Sequence, residues 1–324
     1  MPHIANSSYR ANGIFRNGHF NTVWAAISRK VAGVNYRRER LDTPDGDFVD
    51  LDWSFSKAPS TSLLVALHGL EGNAERPYIK GLVRFFNQQG CDAVALNFRG
   101  CSGEANRLTT TYHAGATADL HATLEHVLGL GRYRNIVIAG FSLGGNVVLK
   151  YLGEQSAQLF EEVRAATGFS VPCHLPTAHV EIGRWPNRPY LWKFLRTLNR
   201  KMKEKSERWP GIVPKPSPRP RNFDDFDNRY TAPLNGFKNA LDYWERNSSL
   251  QFFDRISRPA LLVNAWDDSF LSPECYPTEW AAQSDTFFLE TPQYGGHVGF
   301  VTFDSNGVYW TERRAWEFVQ DKLK

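Results

Sequence analysis

The sequence contains little of what marks a membrane, secreted or metal-binding protein. Its apolar runs, such as Leu63 to Leu67, are of strand length, whereas a membrane-spanning helix needs roughly 20 apolar residues in succession. The N-terminal residues have neither the apolar stretch nor the small-residue cleavage site of a secretory signal. We therefore expect a cytoplasmic protein. The few cysteines lack the spacing of a zinc site or a disulfide framework, so we expect reduced thiols and no metal: Cys91, Cys101, Cys173 and Cys275.

Charge is nearly balanced over the whole chain but not along it. The formal net charge of +4 is too small to indicate a nucleic-acid-binding protein. Between Arg184 and Arg221, however, twelve Lys or Arg residues accompany only two acids, so this stretch carries +10. Two interpretations stay open, a solvated helix face or a basic surface that contacts anionic membrane lipids. Both rest on six side chains of one predicted helix: Lys193, Arg196, Arg200, Lys201, Lys203 and Lys205.

Short apolar strands alternate with helices from residue 63 onward, after an antiparallel hairpin within residues 38–53. The predicted strands cover 38–41, 48–53, 63–67, 93–96, 135–139, 165–170, 260–264 and 286–290. The predicted helices cover 77–89, 116–128, 145–152, 190–207, 234–247 and 311–322. This alternation predicts an α/β fold with a mostly parallel sheet of the eight-stranded type and helices on both faces.

The alternation stops between residues 176 and 257, where the sequence has helices and a proline-rich run but no strand pattern. Because the strands on both sides of this segment belong to one sheet, we predict a single domain over residues 1–324 with a helical cap inserted at 176–257. Its aromatic residues either line an apolar ligand pocket or form a small core: Trp185, Tyr190, Trp192, Phe194, Trp209 and Phe226.

Ser142 is the candidate nucleophile. The predicted strand before it runs directly into Gly140-Phe141-Ser142-Leu143-Gly144, and a predicted helix follows. In this GxSxG context the serine occupies a strained turn that exposes its hydroxyl, while the glycines let the strand and helix approach closely. A second glycine-containing loop, His68-Gly69-Leu70-Glu71-Gly72, follows the strand that ends at Leu67. Backbone N–H groups of Leu70 and Leu143 then hold the positions of an oxyanion hole.

An acid and a histidine follow the serine along the chain. The order Ser, acid, His is the one that accompanies this elbow motif. Asp267 and Asp268 come after one predicted strand, and His297 after the next. Both sites lie at carboxyl ends of strands, where open α/β sheets place their ligands. A neutral imidazole can accept the serine proton, and a carboxylate on its other nitrogen fixes the tautomer. Residue types and order leave either aspartate as the acid.

Together, HGLEGN, NFRGCSGE, GFSLGGN, DDSF and GGHVGF resemble the YheT-like branch of the α/β-hydrolases. The likeness extends to the segment His19-Phe20-Asn21-Thr22 and to TAPLNGF in the predicted cap. It implies the α/β-hydrolase fold, with Ser142 as nucleophile, His297 as base and Asp268 as acid. One position departs from the pattern: Ser269 stands where the family usually has proline.

The resemblance implies hydrolysis of carboxylic esters, with a small-molecule acyl ester as substrate and no organic cofactor. Two alternatives stay open. The basic cap segment could make the chain chiefly a binding protein for membrane surfaces or other anionic partners, or the same triad could transfer an acyl group to an acceptor other than water, as an acyltransferase or perhydrolase does.

Overall fold

The computed structural model describes residues 3–323, and its centre is a nine-stranded sheet. In chain order the strands are β1 (His3–Ile4), β2 (Arg37–Asp42), β3 (Phe48–Ser54), β4 (Ser62–Leu67), β5 (Asp92–Asn97), β6 (Asn135–Phe141), β7 (Val163–Phe169), β8 (Ala260–Val263) and β9 (Phe287–Glu290). Their spatial order is β1-β9-β8-β7-β6-β4-β5-β3-β2, with β3 antiparallel to both neighbours and all other pairs parallel. The predicted α/β fold is confirmed. The added strand β1 has two residues, too few to show a periodic pattern.

The helices are α1 (Gly18–Ile27), α2 (Pro77–Gln88), α3 (Thr117–Gly129), α4 (Leu143–Gln155), α5 (Leu175–Gly183), α6 (Arg188–Arg208), α7 (Phe223–Phe226), α8 (Ala232–Leu234), α9 (Ala240–Asn247), α10 (Thr278–Gln283) and α11 (Trp310–Val319). The prediction of one helix over 234–247 was wrong. Gly236 adopts a φ of +78°, which ends α8, and the Asn239 side chain accepts a hydrogen bond from Asp242 N, which starts α9.

Alternation along the central strands buries side chains on both faces of the sheet. In β4, Leu63, Val65 and Leu67 belong to the apolar core that contains residues of α3 and α4. Leu64 and Ala66 point to the opposite core, which contains residues of α1, α2 and α11. Because successive side chains of a strand leave opposite faces, a continuous apolar run is what a strand covered on both sides requires.

Between β7 and β8 the chain forms helices α5 to α9 and no strand. We call residues 175–255 the inserted segment. It lies against the carboxyl edge of the sheet, where Asn187 Nδ2 donates to the backbone oxygen of Ser269 at 2.6 Å. A small core of its own surrounds Leu195, Met202 and Tyr230. Among residues 3–323, no helix is long and apolar enough to span a bilayer.

Candidate active site

Ser142 occupies the sharp turn between β6 and α4. Its φ of 53° and ψ of −121° lie outside the regions that non-glycine residues usually adopt. The flanking glycines are required sterically. A Cβ at Gly140 would lie 2.4 Å from the backbone oxygen of Gly144, and one at Gly144 would lie 2.5 Å from the backbone oxygen of His68. The turn therefore stays tight only with glycine at both positions.

His297 connects the serine to a carboxylate. Its Nε2 lies 2.9 Å from Ser142 Oγ, and its Nδ1 lies 2.9 Å from Asp268 Oδ2. The Asp268 side chain is fully buried and that of His297 is 10% exposed. The Phe270 ring stacks on the imidazole with centroids 4.2 Å apart. The structure thus brings three predicted residues into one hydrogen-bonded chain, in which the carboxylate is buried and the imidazole nearly so.

The two adjacent aspartates make different contacts. Asp268 faces the imidazole, and its Oδ1 also accepts a hydrogen bond from Phe270 N at 3.0 Å. Asp267 Oδ1 accepts from Gly296 N at 2.8 Å, in the loop that carries His297. Burial, with a further contribution from the charge of Asp268, raises the pKa of Asp267 to about 6. Asp267 therefore supports the backbone of the histidine loop, while Asp268 contacts the imidazole itself.

The histidine loop is held by residues whose role the sequence did not indicate. Ser170, at the end of β7, accepts a hydrogen bond from Val298 N at 2.8 Å. Thr22 of α1 accepts from His297 N at 2.8 Å, and Asn21 accepts from Val301 N at 3.1 Å. The resemblance had pointed to the HFNT segment without giving it a function. The structure provides one, because two of its side chains hold the backbone on either side of the imidazole.

Leu70 and Leu143 lie in the loops that flank Ser142. Leu143 is the first residue of α4, where N–H groups have no acceptor within the helix. On either side of Leu70, the N–H of Gly69 donates to Tyr78 Oη at 3.1 Å and that of Glu71 to Tyr112 Oη at 2.9 Å. The loop is thus held on both sides of Leu70, and its N–H lies between the two anchored ones.

His68, which begins this loop, is part of the core. Its Nδ1 donates to the backbone oxygen of Gly69 at 2.8 Å, and its Nε2 accepts from Phe98 N at 3.2 Å. Burial lowers the pKa of His68 to about 3. The imidazole therefore stays neutral at physiological pH and holds the loop to β5 rather than transferring protons.

A cavity of about 530 Å³ extends from Ser142 and His297 between the sheet edge and the inserted segment. One part of its wall is polar and includes Glu71, Arg76 and Lys201. The other part consists of apolar side chains, mostly from the inserted segment: Leu175, Ile182, Phe194, Leu198, Met202, Phe226 and Phe270. An apolar wall beside a few polar groups is typical of sites for small organic ligands.

Two of the aromatic residues expected in a pocket or a core are in neither. Trp185 is 76% exposed and Trp192 is 64% exposed. On α6, Leu191 and Leu195 face inward, so the helical period carries Trp192 to the outer face. Four other aromatics follow the expectation, in the cavity wall or in apolar contacts: Tyr190, Phe194, Trp209 and Phe226.

The six basic residues of α6 do not share one surface. Lys201 and Lys205 face inward, so for these two residues both interpretations from the sequence, a solvated face and a membrane-facing one, are wrong. Lys201 Nζ lies 2.8 Å from Glu71 Oε1. Lys205 Nζ lies 2.9 Å from both Asn106 Oδ1 and the backbone oxygen of Thr110. Burial lowers the pKa of Lys205 to about 8. Lys201 and Lys205 are four residues apart, so they lie on one face of α6, and that face points toward the loops at the edge of the sheet.

Comparison with known proteins identifies the family of this chain. Residues 64–309 match the model of the alpha/beta hydrolase family. The chain is 33% identical to a putative esterase, YheT of Escherichia coli, over 89% of this chain and 85% of that protein. It is 29% identical to the phospholipase ABHD3 of Mus musculus, over 87% and 73% of the two chains. An esterase of Pyrococcus furiosus has the same fold, with a TM-score of 0.61, 16% identity and coverage of 91% and 97%. The chain therefore belongs to the α/β-hydrolase family, in its YheT-like branch.

Proposed function

We propose that this α/β-hydrolase cleaves carboxylic esters with Ser142 as nucleophile, His297 as general base and Asp268 as the acid that orients the imidazole. In this proposal the N–H groups of Leu70 and Leu143 stabilise the oxyanion. Ester hydrolysis as a reaction class is supported by the relatives, which are named an esterase and a phospholipase. The observation that carries the assignment of residues is the Ser142–His297–Asp268 chain, with contacts of 2.9 Å at both of its links.

In this proposal these residues and one water molecule carry out the reaction. Ser142 Oγ attacks the ester carbonyl as its proton moves to His297 Nε2, and negative charge develops on the carbonyl oxygen. That oxyanion is stabilised by the two backbone N–H groups. When the intermediate collapses, the imidazolium donates its proton to the leaving alcohol, and an acyl-serine remains. A water molecule, deprotonated by the same imidazole, then releases the carboxylic acid and restores the serine.

We further propose that residues 176–257 act as a cap that selects the acyl group. The apolar wall contributed by Phe194, Leu198 and Met202 favours a hydrocarbon chain. The volume of about 530 Å³ lies within the usual range for small-molecule sites, roughly 300–1,000 Å³. A phospholipase among the relatives is consistent with an acyl ester of lipid origin.

Labelling with a fluorophosphonate, which reacts only with an activated serine, tests the assignment. The Ser142→Ala variant should lose both labelling and hydrolysis of p-nitrophenyl esters while its circular dichroism spectrum is retained. Ser102→Ala is a matched control, in which labelling should persist. Ser102 also lines the cavity, but its hydroxyl donates to Asp50 Oδ2 at 2.6 Å. Persistent labelling of a folded Ser142→Ala protein would refute the proposed nucleophile.

A second proposal concerns the outer face of α6, which we infer contacts anionic lipid surfaces. Trp192 is 64% exposed there, and the Arg196 guanidinium lies 5.4 Å from its ring centroid. Lys193 and Lys203 are exposed on the same helix. An exposed tryptophan among cations suits the interface between headgroups and acyl chains, where each basic residue contributes about 1 kcal/mol.

A further inference from the structure

The inserted segment contacts the loop after β4 through a partly buried ion pair. Lys201 Nζ of α6 lies 2.8 Å from Glu71 Oε1, and the two side chains are 23% and 5% exposed. Lys201 Nζ also lies 3.3 Å from Cys101 Sγ. Burial opposes the charge of Lys201, yet its Cys101 and Glu71 neighbours hold its pKa above the ordinary lysine value. Lys201 is therefore a positively charged residue of the inserted segment that contacts the loop after β4.

Glu71 immediately follows Leu70, and its backbone is strained. Its φ of 53° lies in the left-handed region that non-glycine residues seldom adopt. Such a conformation persists only where surrounding contacts hold it. Three contacts do so here: Glu71 N donates to Tyr112 Oη at 2.9 Å, Tyr112 Oη donates to Glu71 Oε1 at 2.6 Å, and Arg76 Nη2 donates to the Glu71 backbone oxygen at 2.7 Å.

Lys201 is the cation that the carboxylate of Glu71 contacts. The Arg76 guanidinium is nearby but donates to the backbone oxygen, and Glu71 Oε2 has no hydrogen-bond partner within residues 3–323. Without Lys201, a carboxylate held away from water would keep only the Tyr112 hydroxyl. Removing one partner of a buried ion pair is costly because the other charge stays unpaired. The carboxylate would then turn toward water and carry the backbone at residue 71 with it.

We propose that Lys201 is a positioning residue that couples the seating of α6 to the oxyanion hole by holding Glu71, and hence the N–H of Leu70, in place. The inference rests on the proposed function, in which Leu70 supplies one of the two oxyanion donors. With α6 in place over the cavity, the ion pair holds Glu71, and the N–H of Leu70 next to it stays in position. Loss of the Lys201 contact would leave Glu71 with its bonds to Tyr112 and Arg76 but with no cation on its carboxylate, and so with weaker support for its strained conformation.

The test compares Lys201→Met with Lys205→Met. Both lysines face inward from the same helix, but of the two only Lys201 contacts the loop after β4 that contains Leu70. On a soluble short-chain p-nitrophenyl ester, Lys201→Met should lower kcat about 10- to 100-fold with little change in KM. This is a smaller loss than the roughly 10²- to 10³-fold that follows outright removal of an oxyanion donor. Lys205→Met should lower the melting temperature but keep kcat.

Three further measurements separate positioning from simple destabilisation. Lys201→Arg should keep most of kcat, because it preserves the charge. The double variant Glu71→Gln/Lys201→Met should be more active than Lys201→Met alone, because no unpaired carboxylate remains. Affinity for a trifluoromethyl ketone should fall in parallel with kcat, since its serine adduct places an oxyanion on the same N–H groups.

Equal kcat losses in Lys201→Met and Lys205→Met would overturn the inference, as would a double variant no more active than Lys201→Met. These failures are distinct from failure of the proposed function. If the natural protein reacts with a fluorophosphonate at Ser142 while Lys201→Met keeps full kcat, only the role of Lys201 is refuted. If labelling persists in Ser142→Ala, the proposed function itself is refuted.

Discussion

The carboxyl edge of the sheet and the inserted segment border the same cavity, but they constrain their residues by different means. At the edge, Ser142, Ser170 and Val298 all have a positive φ, and the hydroxyls of the two serines lie within hydrogen-bond distance of His297 Nε2 and Val298 N. In α6 the backbone is an ordinary helix, and the direction of each side chain decides its role. Substitutions of single atoms should therefore reduce activity most at the edge. In the inserted segment, we expect inward-facing side chains to affect catalysis or stability, and outward-facing ones to leave hydrolysis of soluble esters unchanged.

The largest effect beyond loss of the nucleophile is expected for Asp268→Asn at the sheet edge. An amide keeps the shape of the side chain but favours the wrong imidazole tautomer, so kcat should fall by about 10⁴-fold, as in the best-studied triad. Asp267→Asn is the matched control, because its remaining oxygen can still accept from Gly296 N, and it should keep most of its activity. Steady-state kinetics at neutral pH decide between the two aspartates, and the opposite ranking would identify Asp267 as the acid.

Asp267→Asn should also change how stability depends on pH. Because the pKa of Asp267 is raised from 3.8 to about 6, mainly by burial, the folded state binds the proton more tightly than the unfolded state does. The contribution of Asp267 to stability is thus fully present below pH 4 and is lost as the pH rises to about 6. The stability of the Asn variant relative to the natural protein should increase over the same interval. Melting temperatures of both proteins between pH 4 and pH 8 measure this, and a constant difference would show that Asp267 does not titrate there.

The smallest effect on chemistry is expected on the outer face of α6. Neutralising Lys193, Arg196 and Lys203 as Gln should leave hydrolysis of soluble short-chain esters nearly unchanged, since exposed substitutions usually alter stability by less than about 0.5 kcal/mol. Sedimentation with anionic vesicles should weaken, and the binding of the natural protein should decrease as salt rises. A matching loss of soluble esterase activity would contradict the separation between inward and outward faces. Unchanged vesicle binding would refute the lipid contact.

Most of the sheet edge was predictable because its constraints are local. The GxSxG turn follows from clashes that a Cβ at Gly140 or Gly144 would cause, and apolar runs such as 63–67 mark strands that are covered on both faces. The chain order Ser, acid, His, together with the ends of two strands, pointed to His297 and a pair of aspartates. The turn and the strands are each encoded in a few consecutive residues, and the order Ser, acid, His is read along the chain, so none of these signals requires knowledge of the fold.

Tertiary structure decided what depends on contacts between distant segments. Thr22 holds the loop at His297, 275 positions away, and Lys201 reaches Glu71 across 130 positions. The apolar side of α6 indicates which face points inward, but it does not show that Lys201 contacts Glu71 or that Lys205 contacts Asn106, because those partners lie far away in the sequence. The sequence by itself determined eight of the nine described strands, the elbow and the residue types that its chemistry needs. Which aspartate faces the imidazole, and which lysine of α6 reaches Glu71, depends on how the elements pack, since a side chain's partner is set by its neighbours in space.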